Sequence, residues 1–382
     1  MRNVFFDWDI TDYTGWGQVG YNLLTYGHIQ RKCRIVPIAR PLCKLLSPLD
    51  PVTSTIFGIY EGMEIPKAKR GDVLVLPGGP HVQKKIHKQH GIVFVNRAVF
   101  EMNPMNAETL DFYREFDATI VISEWNRKIL EDAGIHAELI HEGLDVDLFH
   151  PVPKKFFRDR FVVFSGGQLH LRKGQDLALK AFSIFAKRHS DALLMAAWRS
   201  PWEKGIAWTV NEGNICEPIS HDKLNEDAGE EIARWIAING VPEKQRIVLD
   251  FMTHDFLPSV LRECDVGLFP NRCEGGTNLL LNECMAMGMT CIVSANTGHL
   301  DVITDSNCLP LKEQTQIDLG PSGDRQYVGW MGSSVDEIVD ALERAYDGNH
   351  PTLSPRQSVE HKTWEWSVNR TVDYLDKLGA SQ

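Results

Sequence analysis

The 382-residue chain contains no apolar run approaching the roughly 20 residues that cross a bilayer, its longest apolar stretches being strand-sized. No membrane-spanning helix is expected. It also lacks any Cys-x-x-Cys pair or zinc-like His/Cys spacing, although eight cysteines (33, 43, 216, 264, 273, 284, 291 and 308) are present. Scattered single cysteines of this kind predict a reducing cytosol rather than a disulfide framework. Positive charge is in deficit: 40 Lys and Arg against 51 Asp and Glu give a net charge of −11, which argues against a nucleic-acid partner. Asp7 and Asp9 interrupt the N-terminal residues before a signal-peptide core forms. Internal repeats and low-complexity segments are missing too. What remains is an ordinary globular composition, 43% hydrophobic and 24% charged, at a length that suggests two domains.

Strand-like and helix-like segments alternate, which argues for parallel βαβ units. In the first part, strands are predicted at Val4–Phe6, Asp72–Leu76, Ile92–Val95, Ala118–Ile122 and Ala137–Ile140, with helices at Ala107–Phe116 and Asn126–Asp132. Gly15, Gly17 and Gly20 follow the first strand in Gly-x-Gly-x-x-Gly spacing, compatible with a dinucleotide turn or with a plain strand-to-helix turn. No acidic residue closes a second strand about twenty positions on, since Arg34–Ala39 runs into Arg40, so NAD binding loses ground. The basic, amphipathic stretch His81–His90 is either a solvated surface helix or a contact for an anionic membrane or acidic acceptor.

In the second part, strands are predicted at Phe161–Ser165, Ala192–Ala197, Arg246–Leu249, Asp265–Phe269 and Cys291–Ser294, with a helix at Leu177–Ala186. Glu226–Trp235 reads as an acidic, exposed helix. Trp198, Trp202 and Trp208 line a pocket or pack under a long connection. Ser334-Val-Asp-Glu337 is a capping box that opens a helix with one apolar face.

The chemistry is expected at Cys273-Glu-Gly-Gly-Thr-Asn-Leu-Leu-Leu-Asn-Glu-Cys-Met-Ala-Met-Gly288. A strand ends at Pro270 and a helix starts at Leu279, so Gly276, Thr277 and Asn278 present bare amides at a helix N-terminus. Those amides and the macrodipole favour an anion. Glu283 lies about 7–8 Å further down the helix axis, on the face of Gly276. One anion cradle flanked by the carboxylates of Glu274 and Glu283 suits a diphosphate with hydroxyl-rich groups at both ends, as in a nucleotide sugar.

These residues resemble the paired-glutamate motif of retaining glycosyltransferases of family 4, which have the GT-B fold. Three further stretches extend the resemblance, which covers about 90% of the chain in order. Ile122-Ser-Glu-Trp-Asn-Arg and Glu142-Gly-Leu-Asp-Val-Asp-Leu-Phe-His-Pro151 are similar to the family's passage into the hinge. Gly166-Gly-Gln-Leu-His-Leu-Arg-Lys-Gly174 is similar to its Gly-Arg-Leu-x-x-x-Lys-Gly. The resemblance implies two Rossmann-like domains facing each other across a cleft: residues 1–150 for the acceptor, 151–350 for the nucleotide sugar, and 351–382 as a helix crossing back to the first domain. Lys173, with Arg172, would stabilise the departing diphosphate. Glu274 would orient the sugar and Glu283 hold the ribose, with Gly276, Thr277, Asn278, Gly167 and Gly298 around the donor. His299 beside Gly298 reads as a lone loop histidine, on the surface or near the donor. Gly15 and Gly17 would form a cleft loop, with Glu101 near the acceptor. No metal and no resident cofactor are implied, so Asp145-Val-Asp147 belongs to the linker.

Two departures stand out. Eight residues separate Glu274 from Glu283 where the family has seven, so either the loop bulges or Glu274 leaves the sugar position. Gln168 replaces the family's Arg and offers no charged fork to phosphate. The expected function is transfer of a hexosyl group, with retention, from a nucleotide-diphosphate sugar (UDP-sugar favoured, GDP-sugar next) to a glycan, lipid-linked or small-molecule hydroxyl. The rivals are a sugar-nucleotide epimerase of the same fold and a catalytically silent nucleotide-sugar-binding protein, with a dehydrogenase more distant. The expected location is the cytoplasm, with peripheral membrane contact left open.

Overall fold

The computed structural model describes residues 1–39, 43–45, 48–78, 90–317 and 327–381. These divide into two units. The first comprises Met1–Asp145, Thr253–Asp255 and His361–Gln382, and the second comprises Val146–Met252 and Phe256–Glu360. Residues 81–89 of the basic stretch lie outside the described residues.

Unit 1 is built on a parallel sheet of six strands: β1 (Asn3–Phe6), β2 (Arg34–Pro37), β3 (Val73–Gly78), β4 (Val93–Ala98), β5 (Ala118–Val121) and β6 (Ala137–Leu139). Their spatial order is β2-β1-β3-β4-β5-β6. The strands are continuous apolar runs because helices cover a parallel sheet on both faces; Val4, Phe6, Val73, Val95 and Ile120 are buried. Helix α1 (Gly15–Gln30) follows, capped by Thr14, whose side chain accepts from the Gly17 amide at 2.9 Å. A Cβ on Gly17 would stand 2.0 Å from Thr11 Oγ1, so this glycine permits the helix to cross the short Ile10–Thr11 strand closely. Gly15 is exposed at the start of the helix.

Unit 2 repeats the plan with β7 (Phe161–Gly166), β8 (Ala192–Ala197), β9 (Arg246–Val248), β10 (Val266–Phe269), β11 (Thr290–Ser294) and β12 (Leu309–Leu311), again all parallel. The order is β9-β8-β7-β10-β11-β12. The chain therefore reverses its direction of travel across the sheet between β7 and β10. In such sheets that reversal leaves a crevice at the carboxyl ends of the two strands. Helix α2 (Gln175–Phe185) and the helix Val335–Tyr346, capped by Ser334, bury Phe182, Phe185, Ile338 and Leu342 in the core of this unit.

Two expectations need correcting. The Glu226–Trp235 stretch is not one exposed acidic helix. Asp227 ends the helix His221–Glu226 and caps a second, Ala228–Ile238, whose inner face buries Ile232, Trp235 and Ile236. Its acidic residues hid a 3.6-residue apolar stripe, and even Glu231 is buried, forked onto Arg234 at 2.6 Å. Nor do the three tryptophans share a pocket. Trp198 is fully buried with its ring 5.9 Å from that of Trp235 and donates to Ser165 Oγ, whereas Trp202 and Trp208 are exposed.

The last helix, α3 (Trp364–Ala380), returns to unit 1. Ser367 donates to the His141 carbonyl at 2.7 Å, Trp364 donates its amide to Leu144, and Arg2 pairs with Asp376. Val368, Val372 and Leu375 are buried along one face. Leu375 is fully buried, so Leu375→Ala is expected to lower stability by about 2–5 kcal/mol in urea unfolding.

Candidate functional site

The site is assembled from loops at the carboxyl ends of β7 and β10. After β7 the chain passes through Gly166 and Gly167 (φ +99°) into a single 3-10 turn, Leu171–Lys173. His170 caps that turn by accepting the Arg172 amide on Nδ1 at 2.9 Å. Its burial, with Arg172 next in effect, lowers its pKa from 6.5 to about 3, so the ring is neutral and free to accept. Arg172 and Lys173 therefore project from a turn fixed at both ends, because α2 begins directly after Gly174.

After β10 the chain continues through Asn271, Arg272, Cys273 and Glu274. Arg272 is 3% exposed and Asp176, in the first turn of α2, is 0% exposed. The guanidinium makes two bonds to the Asp176 carboxylate, each 2.6 Å, and a third to the Leu171 carbonyl at 2.7 Å. The Arg272 amide also donates to the Arg172 carbonyl at 2.7 Å. Two loops remote in sequence are thus riveted together by a bidentate, buried pair.

This brings Glu274 onto both cations. Its Oε1 accepts from Lys173 Nζ at 2.5 Å and from Asn271 Nδ2, and its Oε2 accepts from Arg172 Nη1 at 3.0 Å. Burial alone would raise the pKa of Glu274, but Lys173 and Arg172 outweigh it and hold the carboxyl at about 2. The group is ionised throughout the physiological range.

The Gly276–Asn278 turn lies against a third loop, after β11. The Gly298 amide donates to the Glu274 carbonyl at 3.0 Å, and Thr297 Oγ1 accepts the Glu274 amide at 2.8 Å. A Cβ on Gly298 would stand 1.9 Å from the Gly276 carbonyl oxygen, so only glycine fits. Asn278 (φ +63°) caps helix α4 (Leu279–Ala286). Its side chain accepts from Leu281 and donates from Nδ2 to His299 Nε2 at 3.2 Å. His299 Nδ1 faces the Ser294 carbonyl at 3.1 Å; a carbonyl only accepts, so the proton sits on Nδ1 and Nε2 is the acceptor. Thr277 Oγ1 receives Asn282 Nδ2 at 3.1 Å. Among the described residues, no acceptor is placed against the backbone amides of Gly276, Thr277 or Asn278.

Arg172, Lys173, Glu274, Gly276, Thr277, Asn278 and Gly298 are therefore joined by direct contacts or by adjacent backbone. Gly167 lies beside the Lys173 chain, 3.7 Å from Cε to a notional Cβ. Glu283 is buried on α4 beyond this group. Gln168 contributes its carbonyl, which accepts Gln175 Nε2 at 2.9 Å. Gly15, Gly17 and half-buried Glu101 belong to unit 1. Asn271, Arg272, Asp176 and Thr297 escape a reading of the sequence alone. A usable signal existed for one of them: Asp176 is the sole acid in the largely apolar helix α2.

Residues 149–318 match the family model described as Glycosyl transferases group 1. No curated protein matches the sequence significantly. Among solved structures, sucrose-phosphate synthase from Thermosynechococcus elongatus is 14% identical over 100% of both chains, with a TM-score of 0.63. The trehalose 6-phosphate synthase of Burkholderia multivorans is 11% identical over 100% of this chain and 99% of that one, with a TM-score of 0.61. The Anabaena protein HepE, solved with UDP and glucose, is 13% identical over 98% and 99%, with a TM-score of 0.59. The architecture is the GT-B fold.

Two predictions follow from the local energetics. Asp176→Ala leaves the buried Arg272 charge unpaired and is expected to cost about 3–5 kcal/mol in chemical unfolding, whereas replacing both by apolar residues recovers most of that loss. Burial lowers the pKa of His299 from 6.5 to about 4. Below pH 6.5 the unfolded ring takes a proton that the folded ring refuses, so stability is full above that value and falls as pH drops toward about 4. In urea unfolding at pH 7 and pH 5, His299→Gln is expected to lose about 2 kcal/mol less than the parent between the two.

Proposed function

We propose that the protein is a retaining glycosyltransferase that moves a hexosyl group from a nucleotide-diphosphate sugar to a hydroxyl acceptor, without an essential metal or resident cofactor. The observation that carries this reading is the convergence of Arg172 and Lys173 on Cys273 and Glu274, whose loop runs directly into the Gly276–Asn278 turn, at the switch point of unit 2 and inside the segment that matches group 1 glycosyl transferases. Uridine is the favoured base because HepE was solved with UDP, and guanosine is the next candidate.

In this mechanism the bond between the anomeric carbon and the phosphate oxygen breaks. The acceptor oxygen bonds to the same face of the sugar, and its proton passes to the departing phosphate oxygen. No side chain need act as the base. Lys173, Arg172 and the amides of residues 276–278 stabilise the charge growing on the diphosphate, which is the chief source of rate in such a design. Glu283 holds the ribose hydroxyls and Glu274 orients the sugar. Unit 1, with Gly15, Gly17 and Glu101, is assigned the acceptor, which is a glycan, a lipid-linked sugar or a small molecule.

A thermal-shift panel of UDP-, GDP- and ADP-sugars tests the reading. One donor is expected to raise Tm, since a ligand at 100 times Kd adds about 2.7 kcal/mol, and the rise should vanish in Lys173→Ala and Glu283→Ala. Nucleotide release only when an acceptor is added would establish transfer over epimerisation. Absence of a shift with every donor would contradict the assignment, and binding without release over a broad acceptor set would make the protein a silent binder.

A further inference from the structure

Glu274 is engaged in a way its assigned role does not use. Both carboxylate oxygens are taken by three side-chain donors, Lys173, Arg172 and Asn271, and the residue is only 4% exposed. Two of those donors are the cations assigned to the donor diphosphate. Their side chains are 16% and 18% exposed, so each is already largely desolvated around the carboxylate. The backbone of Glu274, by contrast, is pinned independently: its amide is held by Thr297 Oγ1 and its carbonyl by the Gly298 amide. The side chain can therefore turn about its own χ angles while the loop stays in place.

We propose that in the unliganded protein the Glu274 carboxylate occupies the anion subsite as a stand-in for phosphate oxygens, and that the donor binds by exchange. The incoming diphosphate takes Lys173 and Arg172, and the displaced carboxylate turns toward the sugar hydroxyls. This rests on the donor reading above and deepens it. Exchange makes the site selective: two cations facing one carboxylate carry a local charge of about +1, so a monoanion gains little by entering while a diphosphate still outbids it. It also delays sugar contact until the diphosphate is seated, because the residue that orients the sugar is released by that event.

The test is calorimetric titration of inorganic pyrophosphate into the full chain and into Glu274→Gln, with the rate of sugar transfer measured alongside. Removing a negative charge about 3 Å from both cations is expected to tighten pyrophosphate binding at least about tenfold while transfer slows. Opposite movements in binding and rate are the signature, since a purely structural glutamate would weaken both. Glu274→Asp, too short to reach both cations from the same backbone, should show a smaller gain and serves if the Gln variant fails to fold. Pyrophosphate affinity unchanged or weakened in both variants would overturn the exchange and leave the donor site standing. Failure of pyrophosphate to bind any of the three proteins would overturn the donor site and the exchange together.

Discussion

The geometry of unit 2 depends on a buried charge pair. Arg272 and Asp176 have no solvent to fall back on, and each satisfies the other through two short, parallel bonds. A pair so placed contributes little net stability against an apolar replacement, but it is severe on any arrangement that separates its members. That severity is what registers the turn after β7 against the loop after β10. Lys173, Arg172 and Glu274 meet on the two backbones that this pair holds together.

A second layer of positioning comes from the loop after β11. Thr297 and Gly298 hold the Glu274 backbone, while His299 holds the Asn278 side chain that caps α4. The neutral state of His299 matters here. Protonated, its Nε2 would become a donor facing the Asn278 amide nitrogen, and the cap would lose its partner. Burial prevents this across the physiological range. The Gly276–Asn278 turn is thus held against the loop after β11 by neutral groups.

Much of this was legible in the sequence because the relevant signals are local. Continuous apolar runs gave strands such as Ala192–Ala197 to the residue, and Ser334 announced a helix start through its capping chemistry. The Gly276–Asn278 turn stands out because small residues before a helix leave bare amides, whereas Lys173 and Gly298 are named only through the family resemblance. The sequence motif suggests Glu274 as a sugar contact but not its grip on two cations, since residues about a hundred positions apart meet only through the sheet order. Arg272 and Asp176 were hidden for the same reason. The helix around Trp235 departs from its acidic appearance for another reason: amphipathic packing, not charge density, decides whether a helix is buried.

Hydrogen exchange measured with and without UDP tests the central claim most directly, because it reports which backbone amides a nucleotide diphosphate protects. The account predicts protection concentrated in peptides spanning residues 166–174, 272–283 and 294–299. Protection elsewhere with these three segments unchanged, or no protection at saturating UDP, would contradict it.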